Sequence, residues 1–241
     1  MLAVGAGGCL GRTPTGTGFP DGNARVLFVG NSLTYSNNLP SMFLALARMA
    51  GDTDVQASSI ANPDYGLEDH WADGVVQRSL SEHQWEFVVM QQGSSALPAS
   101  QVNLKTWTGR FAPLIRAAGA EPVLFMVWPF SSREFDFPNV LHSYREAAAS
   151  VNGIFAPAGD AWTAFGSYAL MYSGDGLHPS IYGTYVSALV LLERVRGISP
   201  EQLPPTIPGI TASEETVRSL QAAARTALDR NPSRPRPDEP Y

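Results

Sequence analysis

Apolar positions along the chain fall into two alternating patterns. Short runs at 26–29, 87–90, 123–128 and 154–156, apolar throughout, read as strands, as does the more mixed 55–60. Between them lie stretches whose apolar residues recur three and four positions apart, at 39–50, 67–80, 101–118, 139–151 and 181–196, and these read as helices. Punctuation residues agree with the boundaries. Pro40 stands in the first turn of its helix and Gly51 stops it, Pro138 opens another, and Gly119 and Gly197 close two more. Pro113 falls inside the 101–118 stretch and predicts an interruption or bend there. Strands that are apolar throughout, each followed by a helix, imply a parallel sheet covered on both faces. The predicted fold class is α/β, a single doubly wound domain.

Past Gly197 comes a Pro-rich connection and then a further helix at 213–229. Thr211 or Ser213 can cap it, and Glu214 and Glu215 suit the positive end of its dipole. The domain is therefore drawn over residues 25–230, with 231–241 as a disordered Pro-rich tail. Residues 1–24 show no periodicity: a small apolar start, then a Gly/Thr/Pro linker. Ala6-Gly7-Gly8-Cys9 resembles a weak bacterial lipobox, in which Cys9 is lipidated after a signal segment is cleaved. The expectation is an exported protein, lipid-anchored at a bacterial cell envelope, with a cytoplasmic one as the alternative.

Composition narrows the partners. With 16 Lys and Arg against 22 Asp and Glu, the formal net charge is -6. No basic excess exists to neutralise nucleic-acid phosphates or an anionic membrane. A single cysteine rules out a disulfide framework and a cysteine-rich metal site. Apolar runs such as 123–127 and 188–192 fall far short of the ~18 residues of a membrane span.

In a doubly wound sheet, ligands bind beyond the carboxyl ends of the strands. The segments there are Gly30-Asn31-Ser32, Asn62 to His70, Gln91-Gln92-Gly93-Ser94, Trp128-Pro129-Phe130 and Asp160-Ala161-Trp162. A further segment, Asp175-Gly176-Leu177-His178-Pro179, directly precedes the 181–196 helix. Ser32 is the candidate nucleophile, with Gly30 allowing a sharp turn. A serine hydroxyl is weak without a base, and His178, on a loop, is the best candidate among four histidines. Asp175 can fold back to hold the imidazole in the correct tautomer. Each piece has a plainer reading: Gly-Asn-Ser as a turn and helix cap, Asp-Gly-Leu-His-Pro as a turn before a helix. His70 reads as a packing or surface residue, His83 as solvated and His142 as structural. A metal site from Asp69, His70, Asp175 and His178 matches no ligand spacing. No metal or cofactor is expected.

Val26 to Leu33, Val-Leu-Phe-Val-Gly-Asn-Ser-Leu, resembles the first block of the SGNH/GDSL hydrolase superfamily, with Asn31 where the common form has Asp. Asp175 to Pro179 resembles its last block, and the resemblance spans about Arg25 to Gly197. It implies a flavodoxin-like three-layer fold, a five-stranded parallel sheet with helices on both faces, hydrolysing esters through an acyl-serine intermediate. It also implies an oxyanion hole from the Ser32 and Gly66 backbone N–H groups and a third-block side chain. That block is normally Gly-x-Asn-Asp; here Gln91-Gln92-Gly93-Ser94 stands in its place. Side chains alternate along a strand, so one glutamine faces the site; Gln91 is preferred, with Gln92 as the fallback. Tyr65, Trp128, Phe130 and Trp162 fall at the expected active face, where aromatic surfaces could contact substrate. By fold-level analogy the substrate is a small-molecule or polysaccharide ester with a short acyl group, such as acetyl on carbohydrate. The rivals are a catalytically weak carbohydrate-binding protein of the same fold, favoured by the altered third block, and a metal-dependent phosphoesterase.

Overall fold

The computed structural model describes residues 24–236. Five strands form one sheet: β1 (Ala24–Gly30), β2 (Val55–Ala61), β3 (Phe87–Met90), β4 (Glu121–Phe125) and β5 (Ile154–Ala156). Their order is β2-β1-β3-β4-β5, and every neighbouring pair is parallel. Val26, Leu27, Phe28 and Val29 are all buried, though successive side chains point to opposite faces. Both faces of the sheet are therefore covered at β1, whereas the edge strand β2 leaves Gln56, Ser58 and Ser59 exposed.

The helices are α1 (Ser32–Tyr35), α2 (Leu39–Met49), α3 (Leu67–Asp73), α4 (Val75–Glu82), α5 (Pro98–Ala117), α6 (Phe137–Ser150), α7 (Ala158–Phe165), α8 (Tyr168–Met171), α9 (Ile181–Arg196) and α10 (Glu214–Arg230). One group packs α2 on α9 and α9 on α7 and α10; the other packs α3 on α5 and α5 on α6. The direction of winding reverses between β1 and β3, so the crevice favoured for ligands opens beyond their carboxyl ends. Register brings those ends together: Gly30 lies beside Ala61, and Val29 beside Met90.

Several boundaries differ from the sequence reading. The 67–80 stretch is two helices, because Gly74 takes a left-handed φ of 71° between them. α5 runs continuously through Pro113. Asp160 to Trp162, read as a loop, lies inside α7. Ser213 caps α10, accepting from Thr216 N–H at 3.1 Å. Residues 231–236, read as the start of a disordered tail, are seated on the domain. Asn231 is buried and donates to Asp160 Oδ2 at 2.8 Å, while the Ser233 carbonyl accepts from Phe155 N–H at 2.7 Å and covers the free edge of β5. Cys9 and the linker lie outside the described residues. Among the described residues, no helix is long and apolar enough to cross a membrane.

Candidate active site

β1 ends at Gly30, and Asn31 turns the chain into α1. Asn31 Oδ1 accepts from Leu33 N–H at 3.1 Å as the helix cap, and Nδ2 donates to the Tyr65 carbonyl at 2.9 Å. The second contact ties the loop after β2 to the loop after β1. Ser32 is the first residue of α1 and half-buried. Its Oγ and backbone N–H have no hydrogen-bond partner among the described residues.

Gly30 serves this turn differently from the expectation. Its φ is not in the left-handed region. What it supplies is room: a Cβ there would lie 2.3 Å from Gln91 Oε1 and 2.5 Å from Thr34 Oγ1, closer than real Cβ atoms approach. Gln91 is 1% exposed, and its Oε1 accepts from Asn31 N–H and the Thr34 hydroxyl, each at 2.9 Å. Its Nε2 donates to the Gln92 carbonyl at 2.6 Å. A backbone N–H can only donate, so the amide oxygen must face Asn31 and the nitrogen must face Gln92. Gln91 thus lies beneath the nucleophile turn with its amide engaged, which differs from the expected oxyanion donor at this position. Gln92 takes the half-buried place facing the cleft. It lines the cleft over Gly66, its Oε1 accepts from Leu67 N–H at 3.4 Å, and its Nε2 has no partner among the described residues. The Gly66 N–H, another expected donor, is directed to Asp69 Oδ2 at 2.8 Å.

The second half of the site is the loop before α9. Asp175 Oδ1 accepts from Ser173 Oγ at 2.7 Å and from the Leu177 and His178 backbone N–H groups at 2.9 Å. Its Oδ2 lies 2.6 Å from His178 Nδ1. The His178 contact first, then the Leu177 N–H and the Ser173 hydroxyl, holds the carboxyl well below the usual carboxylate range. An ionised Asp175 fixes the proton on Nδ1 and leaves Nε2 as the basic nitrogen. Gly176 turns this loop with φ 69°, and its carbonyl accepts from Ser131 N–H at 2.8 Å. Trp128 Nε1 donates to the Leu177 carbonyl at 2.9 Å. Asn37, five residues past Ser32, donates to the Pro179 carbonyl at 2.8 Å and to Thr184 Oγ1 at 3.0 Å. That bridge brings the serine turn and the histidine loop to the same end of the sheet. No hydrogen bond joins Ser32 to His178 directly; such contacts commonly tighten only when substrate binds.

Two of the four expected substrate-contacting aromatics are elsewhere. Trp128 and Trp162 are fully buried and stacked, with ring centroids 3.6 Å apart, and Tyr172 packs edge-on against Trp162. They support the histidine loop from within the core. Tyr65 lines the cleft half-buried, and Phe130 is exposed. The cleft itself has a volume of about 210 Å³ and is lined by Asn31, Tyr65, Gly66, Asp69, Gln92 and Asn103. A larger cavity of about 620 Å³ beside β2 holds Ser58, Ser79 and His83. There the His83 ring meets only the Trp85 ring among the described residues, so no carboxylate orients it. The smaller cleft is the one that adjoins the serine turn, through Asn31.

Of the two readings, packing or surface, packing is the one found for His70. It is fully buried, with Nε2 2.8 Å from the Gly30 carbonyl and its ring edge-on to Tyr65, and Nδ1 lacks a partner. Among the described residues, no three His, Cys, Asp or Glu side chains are grouped to hold a metal ion.

No sequence-family profile matches the chain, and no curated protein does. Solved structures do. A protein assigned to the SGNH hydrolases from Slackia heliotrinireducens is 27% identical, with a TM-score of 0.62 over 71% of this chain and 98% of that one. The chain carries the SGNH/GDSL hydrolase fold. A DUF4886 family protein from Bacteroides uniformis shares it at 17% identity and a TM-score of 0.65, over 86% of this chain and 95% of that one. An acetyl xylan esterase from Geobacillus stearothermophilus shares it at 14% identity and a TM-score of 0.54, over 72% and 94%. In this SGNH/GDSL fold, Ser32 and Gln92 follow the carboxyl ends of β1 and β3, and Asn37 ties the loop that carries His178 to the serine turn. Several of the solved structures that share the fold are hydrolases, esterases and lipases, which supports an ester-bond hydrolase.

Proposed function

We propose that the protein is a serine esterase acting on carboxylic esters with short acyl groups. The observation that carries this reading is the Asp175–His178 pair. A carboxylate whose one oxygen is fixed by three donors holds an imidazole nitrogen with the other, on a loop bridged by Asn37 to the turn bearing an unengaged serine hydroxyl.

In this reading His178 Nε2 takes the Ser32 proton as Oγ attacks the ester carbonyl. The imidazolium that forms is stabilised by Asp175 and returns the proton to the leaving alcohol. Water, activated by the same imidazole, then releases the acid from the acyl-serine. The carbonyl oxygen gains negative charge only in the tetrahedral intermediate, so donors aimed there lower the barrier selectively. The Ser32 N–H and the Gln92 Nε2 are assigned that role, both being unengaged donors beside the serine turn and the cleft. The cleft volume of about 210 Å³ suits a short acyl group better than a long chain.

Labelling with a fluorophosphonate probe, mapped by mass spectrometry, tests the nucleophile directly. Modification is expected at Ser32, and Ser32→Ala should abolish both labelling and p-nitrophenyl acetate hydrolysis with unchanged thermal unfolding. Labelling at another serine, or activity within tenfold of wild type in the variant, refutes the assignment. Rates that climb from acetyl to octanoyl esters would refute the short-acyl preference.

A further inference from the structure

We infer that Tyr144, on α6 and well behind the cleft, is a positioning residue for the oxyanion donor Gln92. The inference rests on the proposed role of the Gln92 amide. Tyr144 is 2% exposed, and its hydroxyl meets both polar atoms of one peptide residue. It donates to the Gln92 carbonyl at 2.7 Å and accepts from the Gln92 N–H at 3.1 Å. Gln91 Nε2 donates to the same carbonyl at 2.6 Å.

The reason such a clamp is required lies in the chain itself. β3 ends at Met90, so the sheet ladder that fixes a strand residue no longer holds Gln92. Gln91 N–H still bonds the Val29 carbonyl, at 2.9 Å, but Gln92 N–H finds no backbone partner and is left to the phenol. A glutamine that must present its amide to a developing charge also has three side-chain torsions to restrain. With backbone N and O both bound by one rigid aromatic side chain, the direction in which Cβ leaves the backbone is set. The side chain then lies over Gly66, with its oxygen on Leu67 N–H, leaving Nε2 toward the cleft. Burial raises the Tyr144 phenol far above its ordinary pKa, so it stays neutral and serves as donor and acceptor at once. Through Gln91, which also holds Asn31 N–H and the Thr34 hydroxyl, the same clamp fixes Gln92 relative to the serine turn.

The test is a double-mutant cycle on the full chain with p-nitrophenyl acetate. Tyr144→Phe keeps the ring and removes the hydroxyl; kcat is expected to fall about tenfold with KM within about twofold. Gln92→Ala should lower kcat about a hundredfold. The double variant should be no slower than Gln92→Ala alone, because a positioning residue has nothing to position once the amide is gone. Affinity for a short alkylboronic acid, which forms a tetrahedral adduct on Ser32, should weaken in Tyr144→Phe in parallel with kcat. Losses that multiply in the double variant, or an unchanged kcat in Tyr144→Phe, overturn the inference while Gln92 keeps its role. A silent Gln92→Ala overturns the donor assignment itself, and the inference with it. Should Tyr144→Phe not fold, 3-fluorotyrosine at that position retains the ring and hydroxyl but weakens its acceptance of the Gln92 N–H. A lower kcat at constant KM is then expected, and an unchanged one overturns the inference.

Discussion

Replacing Gln91 with Glu tests the assignment of the two glutamines, because the change is isosteric and alters only one group. One oxygen of the substituted carboxyl can still accept from Asn31 N–H and the Thr34 hydroxyl, which now lie 2.9 Å from the amide oxygen. The other replaces a donor that sits 2.6 Å from the Gln92 carbonyl. Protonated, that oxygen donates and the network stands. Ionised, it places a charge against a carbonyl lone pair at a site 1% exposed, so the folded-state pKa must rise. The sign follows from linkage. An acid whose folded pKa exceeds its unfolded value of ~4.3 costs nothing below that value and destabilises increasingly above it. The cost grows by about 1.4 kcal/mol per pH unit until the folded pKa is reached. At pH 7 it amounts to about 3.7 kcal/mol if the folded pKa is ~7 or above. The assay is urea unfolding of wild type and variant between pH 4.5 and 7.5, compared at each pH so that other titrations cancel. A difference near zero at the acid end, widening with that slope, is expected. A small, flat difference would mean that the Gln91 amide faces solvent in the cleft, as an oxyanion donor there would, and would refute the buried network.

Gly30→Ala drives a Cβ to within 2.3 Å of Gln91 Oε1, so the amide must leave and the buried Asn31 N–H loses its acceptor. A loss of about 2–4 kcal/mol in chemical denaturation is expected, and less than about 1 kcal/mol refutes the close-approach role. Asp175→Asn presents an amide where His178 Nδ1–H requires an acceptor, and either amide orientation breaks a present contact. Its kcat should fall about ten-thousandfold with near-native thermal stability, and a fall below tenfold refutes the histidine's role as base.

The sheet was legible because its signal is local and repeated. Runs at 26–29 and 87–90 are apolar at every position, which only a strand covered on both faces tolerates, and each precedes a helical period. Boundaries set by one residue were less so: Gly74 looks like an ordinary helical glycine until its left-handed φ splits α3 from α4. The burial of Trp128 and Trp162 could not be read from their places after β4 and β5. Each ring is covered by segments far along the chain, the Leu177 carbonyl and Tyr172 among them. The seated residues 231–236 escaped notice for the same reason, since Asn231 and Ser233 are held by Asp160 and Phe155, more than 70 positions away.

The departures of this chain from the common block pattern become intelligible once its long-range partners are placed. Asn31 stands where the more common residue is an aspartate, and the local sequence offers no reason for it. The structure supplies one. Asn31 is 6% exposed and its Nδ2 faces the Tyr65 carbonyl, an acceptor 34 positions away. Its own N–H meets the Gln91 Oε1, a second acceptor 60 positions away. A carboxylate in that turn would keep the Leu33 N–H on one oxygen but set the other against the Tyr65 carbonyl, where no donor meets it. An amide at 31 is thus what the Tyr65 carbonyl requires, and an amide at 91 is what the Asn31 N–H and the Gln92 carbonyl require together. Strand alternation did separate the two glutamines, but it carries no information about which face holds an unpaired N–H, and the amide it preferred for the site is the one engaged by Asn31 N–H, Thr34 and the Gln92 carbonyl. Counting donors against acceptors around Asn31 distinguishes their surroundings: the Gln91 amide is engaged beneath the turn, and the Gln92 amide lies over Gly66 beside the cleft.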